Sequence, residues 1–597
     1  MVVTVPRSAD SSGSVGLVRV ATLEEVRQKG VLVVSSGRHG IALFAHEGGI
    51  HAVDNRCPHM GFPLSRGSCR EGILTCHWHN ARFDLHSGGT FDPWADDVRV
   101  YPVQLRDGGV WVDLRAAGDD WRARWKGRLE DGLQQNLSLV LVKAVLALLD
   151  GGTPAAEILE IGGRFGTRYR AAGWASGLTI LTALANTLPH LAPEDRVLAL
   201  FHGLSHTADN CQGAPPRFAL DPLPTEAVAP ERLKTWFRRF VDVRDGDGAE
   251  RTLLTAIGAG LPPTAIADLL FAAATDHYFL DGGHTLDFVN KACELLDHVG
   301  WQHAAAILPS LLRGLTMGSR AEEQSAWRYP IDLVGLLEPV LAELPALAPV
   351  QADGALADFD ALVVTLLADD PAATVGRLRA ALASGASLAA LSQALCYAAA
   401  LRVARYHTSN EFSDWITVLH TFTYCNALRQ AARRAPSPEL VRGLFHGAMK
   451  LYLDRFLNMP AARLPDERDL GGAAEDGPTL LRELGEALNR EGQVNPAGAL
   501  VWRYLRGGHD PVALLAALGH VLLREDAEFH SYQMLEAGLA LYADLCPARP
   551  TEAGRVLVAV ARYLAAHAPT ARAMLQTARS ALRLHRGEEL YAGADEG

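Results

Sequence analysis

Two short hooks constrain this chain more than anything else in it: Cys57-Pro58-His59 and, sixteen residues on, Cys76-His77-Trp78-His79. Each opens with a thiol and closes with an imidazole, so together they offer two sulfur and two nitrogen donors. That set suits either a tetrahedral zinc ion or a [2Fe–2S] cluster with cysteines on one iron and histidines on the other. Either way, two loops must be held side by side on a firm frame.

The flanking sequence offers such a frame. Residues 16–21, 31–35, 40–45, 49–53, 72–75, 81–84, 97–103 and 109–114 are short β-rich runs separated by glycine-containing turns, with one turn of helix at 24–28. Many short strands at even spacing predict a small antiparallel sandwich or barrel over residues 16–116. Pro58 and Gly61 beside the first hook, and Phe83-Asp84 followed by Gly88-Gly89 after the second, resemble Rieske [2Fe–2S] ferredoxins. The resemblance implies that Cys57, His59, Cys76 and His79 are the cluster ligands, with the two histidines on the outer iron. A zinc finger would carry a helix after its second ligand pair, and none is signalled here. High-potential Rieske proteins of the cytochrome bc type add a disulfide cysteine to each loop. Here Phe62 and Trp78 stand at those places, Cys69 lies outside both loops, and Ala81 stands where a hydroxyl donor often sits. Fewer hydrogen bonds to sulfur imply a low-potential centre, like those that feed ring-hydroxylating oxygenases.

The hooks account for a small part of 597 residues, a length that calls for at least two domains. Residues 1–15 read as a disordered tail without a signal-peptide pattern, 117–127 as a polar linker, and 591–597 as a frayed end. Between them, 128–590 carries Ala/Leu-rich runs at helical spacing, predicting an all-α domain with a sub-boundary near 465–480. Segments 269–299, 395–428 and 518–545 look alike: an apolar helix, a polar elbow with His and acid, then a second apolar helix. Their spacing is far wider than the about 20–50 residues of ordinary arrays. The expected architecture is stacked helices, an α-solenoid or a closed α/α arrangement. A net charge of −12 argues against a nucleic-acid partner or an anionic membrane surface. The eight cysteines form no disulfide framework and no apolar run is long enough for a membrane span, so a cytoplasmic location is expected.

The helical part has its own ligand-type residues. His202 and His206 lie four apart, with Asp209 almost a turn further along. The elbows add His277 with Asp281, His407 with Glu411, and Asp526 with His530, while His284, Asp287, His420 and Glu528 lie close by in sequence. A single helical His–acid pair is also the pattern of a surface ion pair. If the elbows converge on one cavity, these groups suit mono- or dinuclear non-heme iron. His298, His303, His446 and His520 are expected to be structural, and His190, His509, His567 and His585 exposed. The mononuclear-iron ligand run of Rieske oxygenases is absent, whereas residues 415–429 resemble a segment of questin-oxidase-like proteins, helical oxygenases. The expected function is an oxygenase-like oxidoreductase acting on a small organic substrate. With no dinucleotide fingerprint, electrons should come from an external NAD(P)H-dependent reductase or a ferredoxin, and a homo-oligomer is compatible with the chain. The alternative is a redox sensor or helical scaffold carrying a Rieske reporter.

Overall fold

The computed structural model describes residues 3–4, 17–36, 39–114, 121–225, 228–347, 354–458, 460–470, 476–588 and 590. The chain divides into two compact units, Met1–Ile158 with Met574–Gly597, and Leu159–Ala573.

The first unit holds eleven strands among its described residues: β1 (Val3–Thr4), β2 (Leu17–Thr22), β3 (Val31–Ser36), β4 (His39–His46), β5 (Gly49–Asp54), β6 (Ser68–Arg70), β7 (Ile73–Thr75), β8 (Arg82–Asp84), β9 (Val100–Tyr101), β10 (Val103–Arg106) and β11 (Gly109–Asp113). They form one sheet of order β1-β3-β4-β5-β9 and two smaller ones, β10-β11-β2 and β6-β7-β8. All pairings are antiparallel except the two-residue β1–β3 pair. Strand β4 shows why the pattern folds this way. Successive side chains of a strand point to opposite faces. Ala42 and Phe44 enter the core that surrounds the two hooks, while Ile41 and Leu43 enter a second core with Val20, Leu32 and Val112. An uninterrupted apolar run is what a strand buried on both faces requires.

Three differences from the sequence reading appear in this unit. Val3–Thr4, inside the expected disordered tail, pair with β3; the other residues of 1–15 lie outside the described residues, as do 591–597. The expected linker at 117–127 is helical from Trp121 on, and residues 117–120 lie outside the described residues. Helices Trp121–Gln135 and Ser138–Asp150, and nearly all of Ala573–His585, belong to the compact unit of the strands. A Cβ at Gly132 would stand 2.9 Å from Leu141 Cδ2, so the glycine is what lets the first two of these helices close on each other.

The second unit is helical throughout its described elements. The three similar segments do form helix–elbow–helix pairs: Pro263–Asp276 with His284–Val299, Leu388–Ala404 with Phe412–Arg434, and Pro511–Leu523 with Phe529–Leu545. In a solenoid each repeat touches only its neighbours. Here helix Ser176–Thr187 packs on Phe529–Leu545, and His284–Val299 packs on Phe412–Arg434, so the helices close on partners distant in sequence. Around the expected sub-boundary, a 3-10 turn at Glu467–Asp469 precedes helix Gly477–Ala487; residues 471–475 lie outside the described residues. Among the described residues, no helix is long and apolar enough to cross a membrane.

Candidate functional site

Both hooks use the same turn. The Cys57 amide donates to the Phe62 carbonyl and the Gly61 amide to the Cys57 carbonyl, each at 2.8 Å. In the second hook Cys76 donates to Ala81 at 2.8 Å and Asn80 to Cys76 at 2.9 Å. The fifth residue of each turn is left-handed, φ +85° at Gly61 and +62° at Asn80, and Gly and Asn reach that region most cheaply. The first turn leaves β5 and the second joins β7 to β8, so the sheets fix both.

The turns sort their donors by depth. Cys57 and Cys76 are fully buried, His59 is half-buried and His79 exposed. The two imidazole centroids lie 4.9 Å apart, near perpendicular. The two thiols share a hydrogen bond, which pushes Cys57 upward and holds Cys76 down at about 6. Burial, then Lys143 and His79, lower His59 to about 4, and its buried Nδ1 has no partner. A neutral imidazole with an orphaned nitrogen beside a thiol pair fits the donor set of a [2Fe–2S] centre. Phe62 and Trp78 meet ring to ring at 6.2 Å, an apolar contact where bc-type relatives place their disulfide. His77 is exposed and bonds Ser68 Oγ at 3.0 Å.

Beneath the first hook sits a cation that sequence reading missed. Lys143, on helix Ser138–Asp150, is 8% exposed. Its ammonium donates to the Pro58 carbonyl at 2.5 Å, the His59 carbonyl at 2.9 Å and Asp96 Oδ2 at 3.1 Å. Arg128 holds the other oxygen of Asp96 at 3.0 Å.

In the second unit, the structure brings His284, His420 and His530 together, with one ring nitrogen of each within 4.8 Å of the others. His284 opens helix His284–Val299, His420 lies two turns into Phe412–Arg434, and His530 is the second residue of Phe529–Leu545. His420 Nε2 and His530 Nε2 are 2.8 Å apart, and His530 Nδ1 meets Glu528 Oε2 at 2.9 Å. The carboxylate therefore fixes the His530 proton on Nδ1 and aims the Nε2 lone pair inward, the arrangement that orients metal-binding histidines. Burial opposes the Glu528 charge, yet bonds from His530 and Ser531 outweigh it and hold the carboxyl at about 2. Burial followed by the neighbouring imidazoles lowers His284 to about 4 and His420 to about 2, so both are neutral near pH 7, the form a metal ligand takes.

The other sequence candidates fall elsewhere. His202 is fully buried and bonds Tyr532 at 2.7 Å through Nδ1, and the His206 ring packs edge-on against Tyr532; Asp209 of the same helix is exposed. His277 pairs with Glu322 at 2.8 Å rather than with Asp281, whose amide donates to Ser319. His407 bonds Ser409 at 2.7 Å, and Glu411 is an exposed helix cap. Asp526 accepts from the Ala573 amide at 2.8 Å. His277 and His407 thus find partners outside the expected i,i+4 pattern, while the cluster is assembled across three helices. His190, His509 and His567 are half-buried rather than exposed; His585 is exposed.

One turn below the three histidines lies a buried polar network. Asp287 meets Gln533, and burial raises its carboxyl to about 7. Lys291 lies between Glu294 and Glu536, 2.8 Å from each.

The β frame, the paired Cys/His turns and the thiol pair at their base define a Rieske iron–sulfur domain. Residues 16–102 match the family model of the Rieske [2Fe-2S] domain. The 3-phenylpropionate/cinnamic acid dioxygenase ferredoxin subunit of Photorhabdus laumondii subsp. laumondii is 34% identical over 97 residues, covering 16% of this chain and 91% of that protein. The ferredoxin component of the Pseudomonas putida naphthalene 1,2-dioxygenase system is 30% identical over 98 residues, 16% of this chain and 94% of its own length. Among solved structures, the ferredoxin of carbazole 1,9a-dioxygenase from Nocardioides aromaticivorans IC177 matches at 24% identity with a TM-score of 0.16, covering 17% of this chain and all of its own. The N-terminal part of this chain is a Rieske domain of the electron-transfer type, joined to a large helical region.

Proposed function

We propose that the chain is a Rieske-type oxidoreductase of oxygenase character, with a second, non-heme iron site at His284, His420 and His530. The observation carrying this reading is the convergence of three imidazole nitrogens within 4.8 Å, one of them backed by the Glu528 carboxylate. When bound, a cluster at the first site would supply one-electron storage and an iron at the second would supply redox chemistry. Cys57 and Cys76, as thiolates, with His59 and His79 as neutral imidazoles, would hold the cluster. Glu528 keeps the His530 proton on Nδ1, so that Nε2 remains a ligand. Phe288 and Phe529, with ring centroids 5.2 and 5.9 Å from that of His284, limit water around the three rings. Asp287, buried and near neutrality, can hold or release a proton one turn from His284. Electrons come from an external NAD(P)H-dependent reductase or ferredoxin, and the substrate is a small organic molecule. The low-potential reading of the first site rests on Ala81 and on the Phe62–Trp78 contact.

Metal analysis of the purified chain tests this. The expected content is about three irons per chain, falling by about one in His420→Ala while the Rieske spin-resonance signal persists. Iron at about two per chain in both proteins overturns the second site and leaves a redox sensor or scaffold.

A further inference from the structure

Beside His284 the second unit has a cavity of about 490 Å³, the size of a small-molecule pocket. Its walls are of two kinds. Trp174, Phe288 and Met317 give it an apolar lining, and Arg170 and Arg313 give it two guanidiniums. Arg170 spends one donor on the Gly173 carbonyl at 2.7 Å. Arg313 is exposed and has no hydrogen bond or ion pair among the described residues. Asp281 also lines the pocket, so the two cations face one carboxylate and an excess of positive charge remains.

The floor connects this pocket to the proposed metal. Phe288 follows His284 by one turn, and their rings lie 5.2 Å apart, so whatever packs on Phe288 lies beside a metal ligand. The elbow leading into that helix is wound unusually: Phe279, Asp281, Gly282 and Gly283 all have positive φ. Positive φ at Phe279 and Asp281 stores strain, which persists only where surrounding structure enforces it and often marks a binding site.

We infer that this cavity binds a small organic acid with an aromatic body, its carboxylate on Arg313 and Arg170 and its ring against Phe288 and Trp174. The inference builds on the proposed oxygenase reading, for which it names the substrate class. A planar carboxylate suits the guanidinium fork, which donates two parallel hydrogen bonds. The flat apolar wall supplies area without competing polar groups.

Binding of 4-phenylbenzoate to the full chain by calorimetry tests this, with biphenyl-4-methanol as its uncharged counterpart. The acid is expected to bind at least about tenfold tighter than the alcohol, and Arg313→Gln to abolish that preference. Phe288→Ala should weaken both ligands. Equal affinity for acid and alcohol, or an acid affinity unaffected by Arg313→Gln, overturns the inference. The two readings fail separately. If the metal reading is wrong, His420→Ala leaves the iron content unchanged while the acid still binds. If the pocket reading is wrong, iron responds to His420→Ala but the acid shows no Arg313-dependent binding.

Discussion

Replacing Lys143 with methionine probes how helices outside the matched Rieske segment support its ligand loop. The residue is 8% exposed, and its ammonium donates to two carbonyls of the first hook and to Asp96. Breaking a buried ion pair by removing one partner costs about 3–5 kcal/mol. Asp96 keeps Arg128, however, so it is not left as a lone buried charge. What is lost outright is a charged donor to the Pro58 and His59 carbonyls, each such bond having a net worth of about 1.5–3 kcal/mol. The lower end of these ranges, about 3 kcal/mol, is the expected cost, and for a unit of this size it lowers Tm by about 6–12 °C. The same change removes a positive charge beside a ligand loop, so an added electron becomes less stable and the midpoint potential should move negative. Calorimetry and a redox titration followed by spin resonance read the two effects on one sample. A Tm within about 1 °C of the parent together with an unmoved potential would refute the claim that Lys143 is a buried cation supporting the loop. Lys143→Arg should preserve the sign of the local charge and most of the potential.

Cys57→Ser should abolish the Rieske spin-resonance signal, and persistence of that signal would show that the ligand set is misassigned. Glu528→Gln leaves the three imidazoles in place but removes the carboxylate that fixes the His530 tautomer; iron affinity should fall about 10–100-fold by competition with a chelator, and unchanged affinity argues against a metal at these rings. Lys291→Met strands Glu294 and Glu536 as neighbouring buried acids, so urea unfolding should show a loss of about 3–5 kcal/mol, whereas a loss under about 1 kcal/mol would mean the network is hydrated. Burial lowers both His202 and His446 to about 3, below the unfolded value of 6.5, so the unfolded chain binds more protons between those limits. Stability from these two groups is complete above about pH 6.5 and drains as pH falls toward 3, by about 1.4 kcal/mol per group per unit; a chain as stable at pH 5 as at pH 7.5 contradicts their burial as neutral rings.

The parts legible from sequence were those whose chemistry is local. Cys57–His59 and Cys76–His79 each complete a turn within six residues, so spacing alone carries the proposed ligand set. The β4 run was readable as a strand because a short β-rich segment between glycine-containing turns is a local signal, whereas which of its residues face which core was not. The helix–elbow–helix units were readable too, as apolar runs broken by polar elbows. What spacing could not carry was the pairing between units. His277, His407 and Asp526 looked like ligands because each has an acid or imidazole at i+4, yet His277 meets Glu322 and His407 meets Ser409 instead. His420 stands nine residues into its helix, where it reads as an interior position, and only the packing of Phe412–Arg434 against His284–Val299 turns it toward His284. Lys143 was invisible for the same reason, since a lone lysine in an apolar helix reads as a snorkelling side chain until the loop it supports is in place.

The electrostatics of the second unit explain why the three histidines should receive a cation rather than merely pack. Three imidazoles turned toward one point cannot all be protonated, and their mutual repulsion with burial keeps at least His284 and His420 neutral. They are ill suited to serve as hydrophobic filler, because each buried ring nitrogen needs a partner and the Nε2 atoms of His420 and His530 meet only each other, at 2.8 Å. The buried charge nearby is also unbalanced. Lys291 faces Glu294 and Glu536 directly, with Asp287 as a third acid on the same helix, so the network carries more carboxylates than cations. Burial raises the Asp287 carboxyl to about 7, and the neighbouring acids Glu536 and Glu294 add to that rise while Lys291 opposes it. A divalent ion held by His284, His420 and His530 would supply the missing positive charge a turn away and pull Asp287 back toward ionisation. Loading the chain with iron should therefore release protons beyond any displaced from the ligands, and isothermal calorimetry in buffers of different ionisation enthalpy counts them. Proton release that is the same in Asp287→Asn as in the parent would show that the network and the three histidines are electrostatically independent.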